Sequence, residues 1–272
     1  MENPVKAELN VPRSPYAIFE NEAVKVEDPK SAITEGELRY LLRNNFIREK
    51  ERAILNAVSR FKLMNIKQIS DWLVLNNMSL GKTTLEAILK KLAAKEFISR
   101  IMIARKDTNI VRYEYILGRS AVFMPEYEEQ ELINPLSITM ADIKSMLAAN
   151  QFILSVLKRN RTLNFAADGV IKTQGSIFSP SRSFYYNAMV ELDCNTLYAI
   201  IVRRSEGWEA AIEAVIPACK QVLKENRSVR IIVICEDLEH KAQLEHTMRN
   251  LSVTVVHDRE LHQQGLEGIE LI

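Results

Sequence analysis

Glycine and proline are scarce in this chain, eight of each in 272 residues. That composition excludes collagen-like and low-complexity architectures and leaves little room for long disordered tracts outside the N-terminus. Cysteine is scarcer still. Cys194, Cys219 and Cys235 are too few and too scattered for a disulfide framework or a zinc motif, and each reads as a small core hydrophobe. The four histidines, His240, His246, His257 and His262, fit no zinc or triad spacing and are expected at the surface. No glycine-rich phosphate loop is present, which argues against a P-loop nucleotide hydrolase. No apolar run reaches membrane-spanning length and the N-terminus lacks a signal-peptide pattern, so a cytoplasmic protein without a membrane partner is expected. What remains is a chain with 47% hydrophobic residues and a net charge of +1. Its length is about twice that of a usual domain, so two domains are the expectation.

The most informative stretch runs from Asn65 to Gly118. Ile66, Ile69 and Leu73 are spaced for one face of a short helix. Asn76-Asn77-Met78-Ser79 interrupts that period, and Ser79 is placed to cap a second helix. In that helix Leu85, Ile88, Leu89 and Leu92 form one apolar stripe, while Lys82, Thr83, Thr84, Glu86, Lys90 and Lys91 occupy the other face. From Ile98 the period changes to two. Two alternating runs, Ile98–Ala104 and Val111–Ile116, flank a polar tip at Arg105-Lys106-Asp107-Thr108-Asn109, as a hairpin requires. This order of elements resembles the winged helix-turn-helix of many bacterial and phage DNA-binding proteins, over about residues 47–118. Between Gly81 and Arg119 nine basic residues face four acids, a net of +5. Cations clustered beside a helix with an exposed N-terminal half are what phosphate attraction and groove reading need. The candidate DNA-binding residues are Lys82, Thr83, Thr84, Ala87, Lys90, Lys91, Arg105, Lys106 and Arg112. A solvated basic face, or a winged helix that binds protein, is the competing reading.

Around this stretch the chain divides into an N-terminal arm, residues 1–34, a winged helix-turn-helix domain, 35–122, an acidic linker, 123–138, and an α/β domain, 139–272. The arm contains Pro4, Pro12, Pro15 and Pro29 without sustained period, although Tyr16, Ile18 and Phe19 are candidates for docking. Leu38, Leu41 and Leu42 mark one helix; Ile54, Leu55, Val58 and Phe61 mark the next. The linker holds Glu126, Glu128, Glu129 and Glu131 between Pro125 and Pro135. Thr139 and Asp142 form a box-like helix start, and the apolar pattern then continues to about Asn160. Strands are predicted at 163–171, 184–192 and 197–203, and a helix at 208–224 kinked by Pro217. Val229 to Cys235 reads as a strand buried on both faces. A helix at 238–250 and a strand at 253–256 complete the pattern. The expected fold class is α+β: a winged helix followed by a mixed sheet with flanking helices.

The order of the second half resembles the PD-(D/E)xK nuclease-like fold. Joined to an N-terminal winged helix, it is similar to the replication-relaxation family of plasmid and mobile-element proteins. The residues that carry the likeness are Asp168 in AADGVI and Glu191 and Asp193 in VELD. In an active member an Asp and a Glu would share a divalent metal, and a lysine two residues after the Glu would act on the attacking water. Here Asp193 stands at the lysine position and Ala167 precedes Asp168 where the family has proline. The next strand ends in Arg203-Arg204 without a carboxylate, and Lys172 and Lys220 are the nearest substitutes for the lysine. The plain structural readings are an Asp-Gly turn at Asp168 and a strand end at Glu191 to Asp193.

These observations point to a sequence-specific binder of double-stranded DNA, acting in regulation, replication or mobilisation of a plasmid, phage or integrative element. The second half is expected to be a non-catalytic assembly domain, needing no cofactor, with a homodimer or replication and mobilisation proteins as partners. One alternative is a metal-dependent endonuclease using Asp168, Glu191 and Asp193 with magnesium or manganese. The other is a winged-helix protein-interaction module.

Overall fold

The computed structural model describes residues 14, 16–27, 33–106, 111–159, 162–173 and 182–261. Among them the chain forms a mixed α+β structure with two sheets and seven α-helices. The first sheet combines β1 (Glu22–Val26), β2 (Leu63–Asn65), β3 (Ile98–Arg105) and β4 (Val111–Leu117) in the order β1-β3-β4-β2, with every pair antiparallel. Packed with it are α1 (Glu35–Arg43), α2 (Glu49–Phe61), α3 (Ile66–Leu75) and α4 (Lys82–Ala93).

Local chemistry explains most of these boundaries. Thr34 accepts a hydrogen bond from the Glu37 amide and starts α1. Asn65 and Gln68 close a reciprocal capping box on α3, satisfying two of the donors a helix start leaves open. The apolar stripe of α4 is buried as its spacing predicts: Leu85, Ile88, Leu89 and Leu92. Its cap differs from expectation. Gly81, not Ser79, occupies the N-cap, without a side-chain bond, because the chain turns at Asn77 in the left-handed region (φ 59°) and runs extended past Ser79. The hairpin tip at Asp107 to Asn109 lies outside the described residues.

The second half is built on α5 (Met140–Leu157), which opens with the Thr139/Asp142 box. Three strands follow as an antiparallel meander: β5 (Thr162–Lys172), β6 (Ser183–Leu192) and β7 (Thr196–Ile201). Then α6 (Trp208–Glu225), β8 (Val229–Cys235), α7 (Leu238–Thr247) and β9 (Val253–His257) add two parallel strands, giving the order β5-β6-β7-β8-β9. The helix containing Pro217 continues to Glu225. Side chains alternate across this sheet. Leu197, Ala199, Ile232 and Ile234 join the core on the α5 side, whereas Ile200, Val202, Ile231 and Val233 pack with Ile212, Cys219 and Leu244 of α6 and α7. Burial on both faces is why VRIIVIC reads as an unbroken apolar run.

One contiguous apolar core extends from the first sheet through α5 to the second. α5 buries Ile143, Leu147, Phe152, Ile153 and Val156, and a helix apolar on most of its circumference belongs at such a centre. Phe61 of α2 stacks on Phe165 of β5 at 5.1 Å, and Trp72 of α3 meets Phe165 edge-on at 5.8 Å. Buried amides bridge the same seam. Asn150 donates to the Phe61 and Leu63 carbonyls, and Gln68 donates to the Leu147 carbonyl at 2.7 Å. The acidic stretch between the halves lies against α2, with Glu126 paired to Arg52 and the buried Tyr127 bonded to Asn56.

The N-terminal arm differs most from its sequence reading. Within its described part, Glu22 to Val26 pair with Arg105 to Ile101 as an edge strand. Tyr16 is buried and donates to Gln151 of α5 at 3.0 Å. The absence of a helical period there reflects a period of two over too few residues to register.

Candidate nucleic-acid interface

The α4 helix presents Lys82, Thr83, Thr84, Ala87 and Lys90 to solvent as one face, opposite its buried stripe. Five of the nine residues singled out from the sequence therefore lie together, and Lys106 is exposed at the nearby end of β3. Beside this face a cleft of about 610 Å³ opens between α4, the start of α3, the part of β4 that runs beyond β2, and α5. Lys67, Lys82, Lys90, Arg100, Arg112 and Lys144 line it, with Glu86 and Glu114 as the acids. Lys67 and Arg100 belong to this basic lining, and neither was singled out from the sequence.

Three of the predicted DNA contacts are engaged with carboxylates of the protein itself. Lys91 Nζ donates to Glu51 and to the Phe46 carbonyl, both at 2.6 Å, and lies over the Phe46 ring. Burial alone would raise the Glu51 pKa, but the Lys91 bond and the cap bonds at the start of α2 hold it below its usual range. Lys91 thus fixes α4 to α2. Arg112 bonds Glu22 of β1, and Arg105 approaches the same carboxylate at 3.8 Å while stacking over Phe19. Both arginines remain about one-third exposed.

Glu22 is the centre of a charge cluster that no spacing in the sequence suggests. Its side chain is fully buried, and Lys144 of α5, equally buried, reaches it at 2.7 Å. Glu114 lies alongside with one carboxylate oxygen unpaired. Burial pushes its pKa up to about 8, against the pull of Arg112 and Lys144 and with a further push from Glu22. Burial lowers the Lys144 pKa, opposed by its bond to Glu22. The available signals were the short strand-like run Glu22 to Val26 and Lys144 standing between the buried Ile143 and Leu147 of α5.

The carboxylates proposed for metal chemistry do not converge. Ala167 pairs with Ala188 and Gly169 with Tyr186, so Asp168 stands level with Asn187, while Glu191 is opposite Asn164. Four residues of strand separate the two acids, about 13 Å at ~3.3 Å per residue. Asp193 lies in the turn beyond β6. Asp168 is exposed, sits in the left-handed region at φ 65° and pairs with Lys62 at 3.5 Å. It lines two adjoining cavities of about 340 and 280 Å³ with Asp142, Ser145 and Asn187, but Asp142 is engaged in capping Thr139 and the Asn187 oxygen accepts from the Ile201 amide at 2.7 Å. Among the described residues no group of three or more His, Cys, Asp or Glu is placed to hold a metal ion.

The scarce residues divide. Cys219 and Cys235 are buried, but Cys194 is exposed in the turn after β6. His246 is exposed as expected, and His262 lies outside the described residues. His240 is not a surface residue: it is fully buried, edge-on to Trp208 at 4.5 Å, with both ring nitrogens unbonded. Burial, helped by Arg204, lowers its pKa to about 4. His257 is largely covered, and its Nδ1 accepts from the Arg259 amide.

No helix among the described residues is long and apolar enough to cross a membrane. No family model and no curated protein matches the chain. Among solved structures it is similar to the crystal structure of protein VC1899 from Vibrio cholerae, at 8% identity and a TM-score of 0.32, over 91% of this chain. The chain spans 57% of the length of that protein.

Proposed function

We propose that this protein binds double-stranded DNA sequence-specifically through a winged helix formed by residues 47–118, with α4 in the major groove. The observation that carries this reading is the solvent-facing row Lys82, Thr83, Thr84, Ala87 and Lys90 beside a cleft that Lys67, Lys82 and Lys90 line from exposed positions. The order α2, β2, α3, α4, β3, β4, with β2 paired to β4, supports it, because a winged helix pairs its first short strand with the outgoing strand of the wing. Threonine hydroxyls and methyls reach base edges, and lysines at the margins of the helix reach phosphates. The second half, with its helix, three-strand meander, helix and parallel strand, supports a nuclease-like scaffold. With Asp168 and Glu191 apart, it acts in assembly rather than in cleavage. A role in plasmid, phage or integrative-element regulation, replication or mobilisation is what the resemblance to the replication-relaxation family implies.

The test is duplex binding by the full chain across a salt series, after selection of a preferred site from a random pool. Binding that weakens linearly on a log–log salt plot is expected. Thr83→Ala/Thr84→Ala should lower the preference for the selected site about tenfold or more while leaving non-specific affinity near wild type, since each good base contact is worth about 1–3 kcal/mol. Equal loss on both DNAs would remove α4 from base reading, and salt-independent or absent binding would remove DNA altogether.

A further inference from the structure

The N-terminal segment connects the two ends of the molecule. At one end Ser14 Oγ donates to Asp258 at 2.7 Å, where Asp258 also holds the buried Arg203 at 2.9 Å. Tyr16 bonds Gln151, and the Ile18 amide reaches Glu236. At the other end the Lys106 amide donates to the Asn21 carbonyl at 2.7 Å. Phe19 lies under Arg105 and Lys144, and Glu22 meets Arg105, Arg112 and Lys144. A carboxylate and a phosphodiester offer arginine the same kind of oxygen pair. Glu22 thus holds the wing arginines as a phosphate would, from the protein side.

We propose that residues 16–26 are an autoinhibitory strap: Glu22 occupies the wing arginines in place of a DNA phosphate, and Arg105 and Arg112 contribute to duplex binding only when the strap leaves. This rests on the DNA reading above. The topology suits release. β1 is an edge strand with β3 as its one neighbour, so its departure leaves β3, β4 and β2 paired. Arg105 and Arg112 lie at the solvent boundary, within reach of a competing anion. Glu114 stays beside Lys144 and Arg112 when Glu22 goes, so the buried cation retains a carboxylate. Because the far end of the strap is bonded to Asp258, Gln151 and Glu236, the state of the second half sets how tightly the wing is masked.

The experiment measures affinity of the full chain for a fluorescein-labelled mixed-sequence duplex over a potassium chloride series. Glu22→Gln removes the masking charge. Ser14→Ala/Tyr16→Phe loosens the distant anchor with Glu22 intact. Glu22→Gln should bind about tenfold more tightly and steepen the log–log salt slope by about two phosphate contacts, near 0.9 each. The anchor variant should bind roughly two- to fivefold more tightly, with a smaller steepening of the same sign. If thermal melting shows Glu22→Gln unfolded, the anchor variant decides alone. Salt-dependent wild-type binding with unchanged or weaker binding in the folded variants overturns the strap and leaves the DNA reading standing. No salt-dependent binding by any of the proteins overturns both.

Discussion

The charges around the first sheet and the acids of the β5–β6 pair are arranged in opposite ways. Around the first sheet, residues far apart in the chain converge: Glu22 from β1, Arg105 and Arg112 from β3 and β4, and Lys144 from α5. In the second sheet, acids close in sequence and expected to share a site stand apart, with Asp168 level with Asn187 and Glu191 four residues further along. The difference teaches that a cluster of charge follows strand pairing rather than spacing. An edge strand can deliver a carboxylate to a hairpin more than eighty residues away. A shift in register can separate two acids on neighbouring strands as effectively as a domain boundary.

The largest effect is expected where that convergence is deepest. Lys144→Met replaces a fully buried ammonium with a chain of similar shape and leaves Glu22 with only the arginines, about one-third exposed. Removing one partner of a buried pair typically costs about 3–5 kcal/mol; with Arg105 and Arg112 still present, about 3 kcal/mol is expected from denaturant unfolding. Lys82→Met on the exposed face of α4 should change stability by less than about 0.5 kcal/mol. Similar costs for the two lysines would mean that the buried cluster does not hold the first half to α5.

A second contrast between the halves appears with pH. Glu114 has a pKa raised to about 8 by burial, so the folded state keeps a proton that the unfolded chain releases near its usual value. Its contribution to stability is complete below about 4.5 and is lost as pH rises toward 8. His240 is the opposite case, lowered to about 4 by burial and by Arg204. Its contribution is complete above about 6.5 and is lost as pH falls toward 4. Glu114→Gln should therefore flatten the decline in melting temperature on the alkaline side, and His240→Phe the decline on the acid side. If either substitution altered the other side instead, the direction of that group's shift on folding would be the reverse of the one given.

Most elements were legible in the sequence, because periods of 3.6 and 2 over eight or more residues survive any tertiary context. The α4 face followed directly, since the buried stripe Leu85, Ile88, Leu89 and Leu92 dictates which side is exposed. The β3–β4 hairpin was legible, but its pairing with β1 and the contact of Glu22 with Arg105 and Arg112 were not. The five residues of β1 are too few to stand out beside the prolines of the arm. Lys91 read as a free cation because its partner, Glu51, lies forty residues earlier on another helix. His240 read as a surface residue because no local pattern reports that Trp208 of α6 will cover it. The register of β6 on β5 was not legible at all: their connection is too long to specify a turn, and only short hairpin loops fix register.

The smallest effect separates the two readings of Asp168. At φ 65° the residue occupies a conformation that costs an L residue about 1–2 kcal/mol through crowding of its β-carbon, and that Asn and Asp tolerate better than alanine because their short polar side chains can hydrogen-bond the local backbone. Its partner Lys62 is nearly half-exposed and the aspartate more so, so the ion pair itself contributes little. If Asp168 is there for the backbone, Asp168→Asn should alter stability by less than about 0.5 kcal/mol, whereas Asp168→Ala should cost about 1 kcal/mol. Asn should then behave as the wild type in every assay. If the carboxylate instead served a metal, the difference between Asn and Ala would vanish in a nicking assay on supercoiled DNA with magnesium or manganese. Asn and Ala would be equally inactive, whatever their stabilities, because an amide oxygen is a neutral ligand where the cation needs charge. Cleavage by the wild type that Asp168→Asn abolishes would therefore restore the endonuclease reading, and would require the second half to assemble its acids in a state other than the one described.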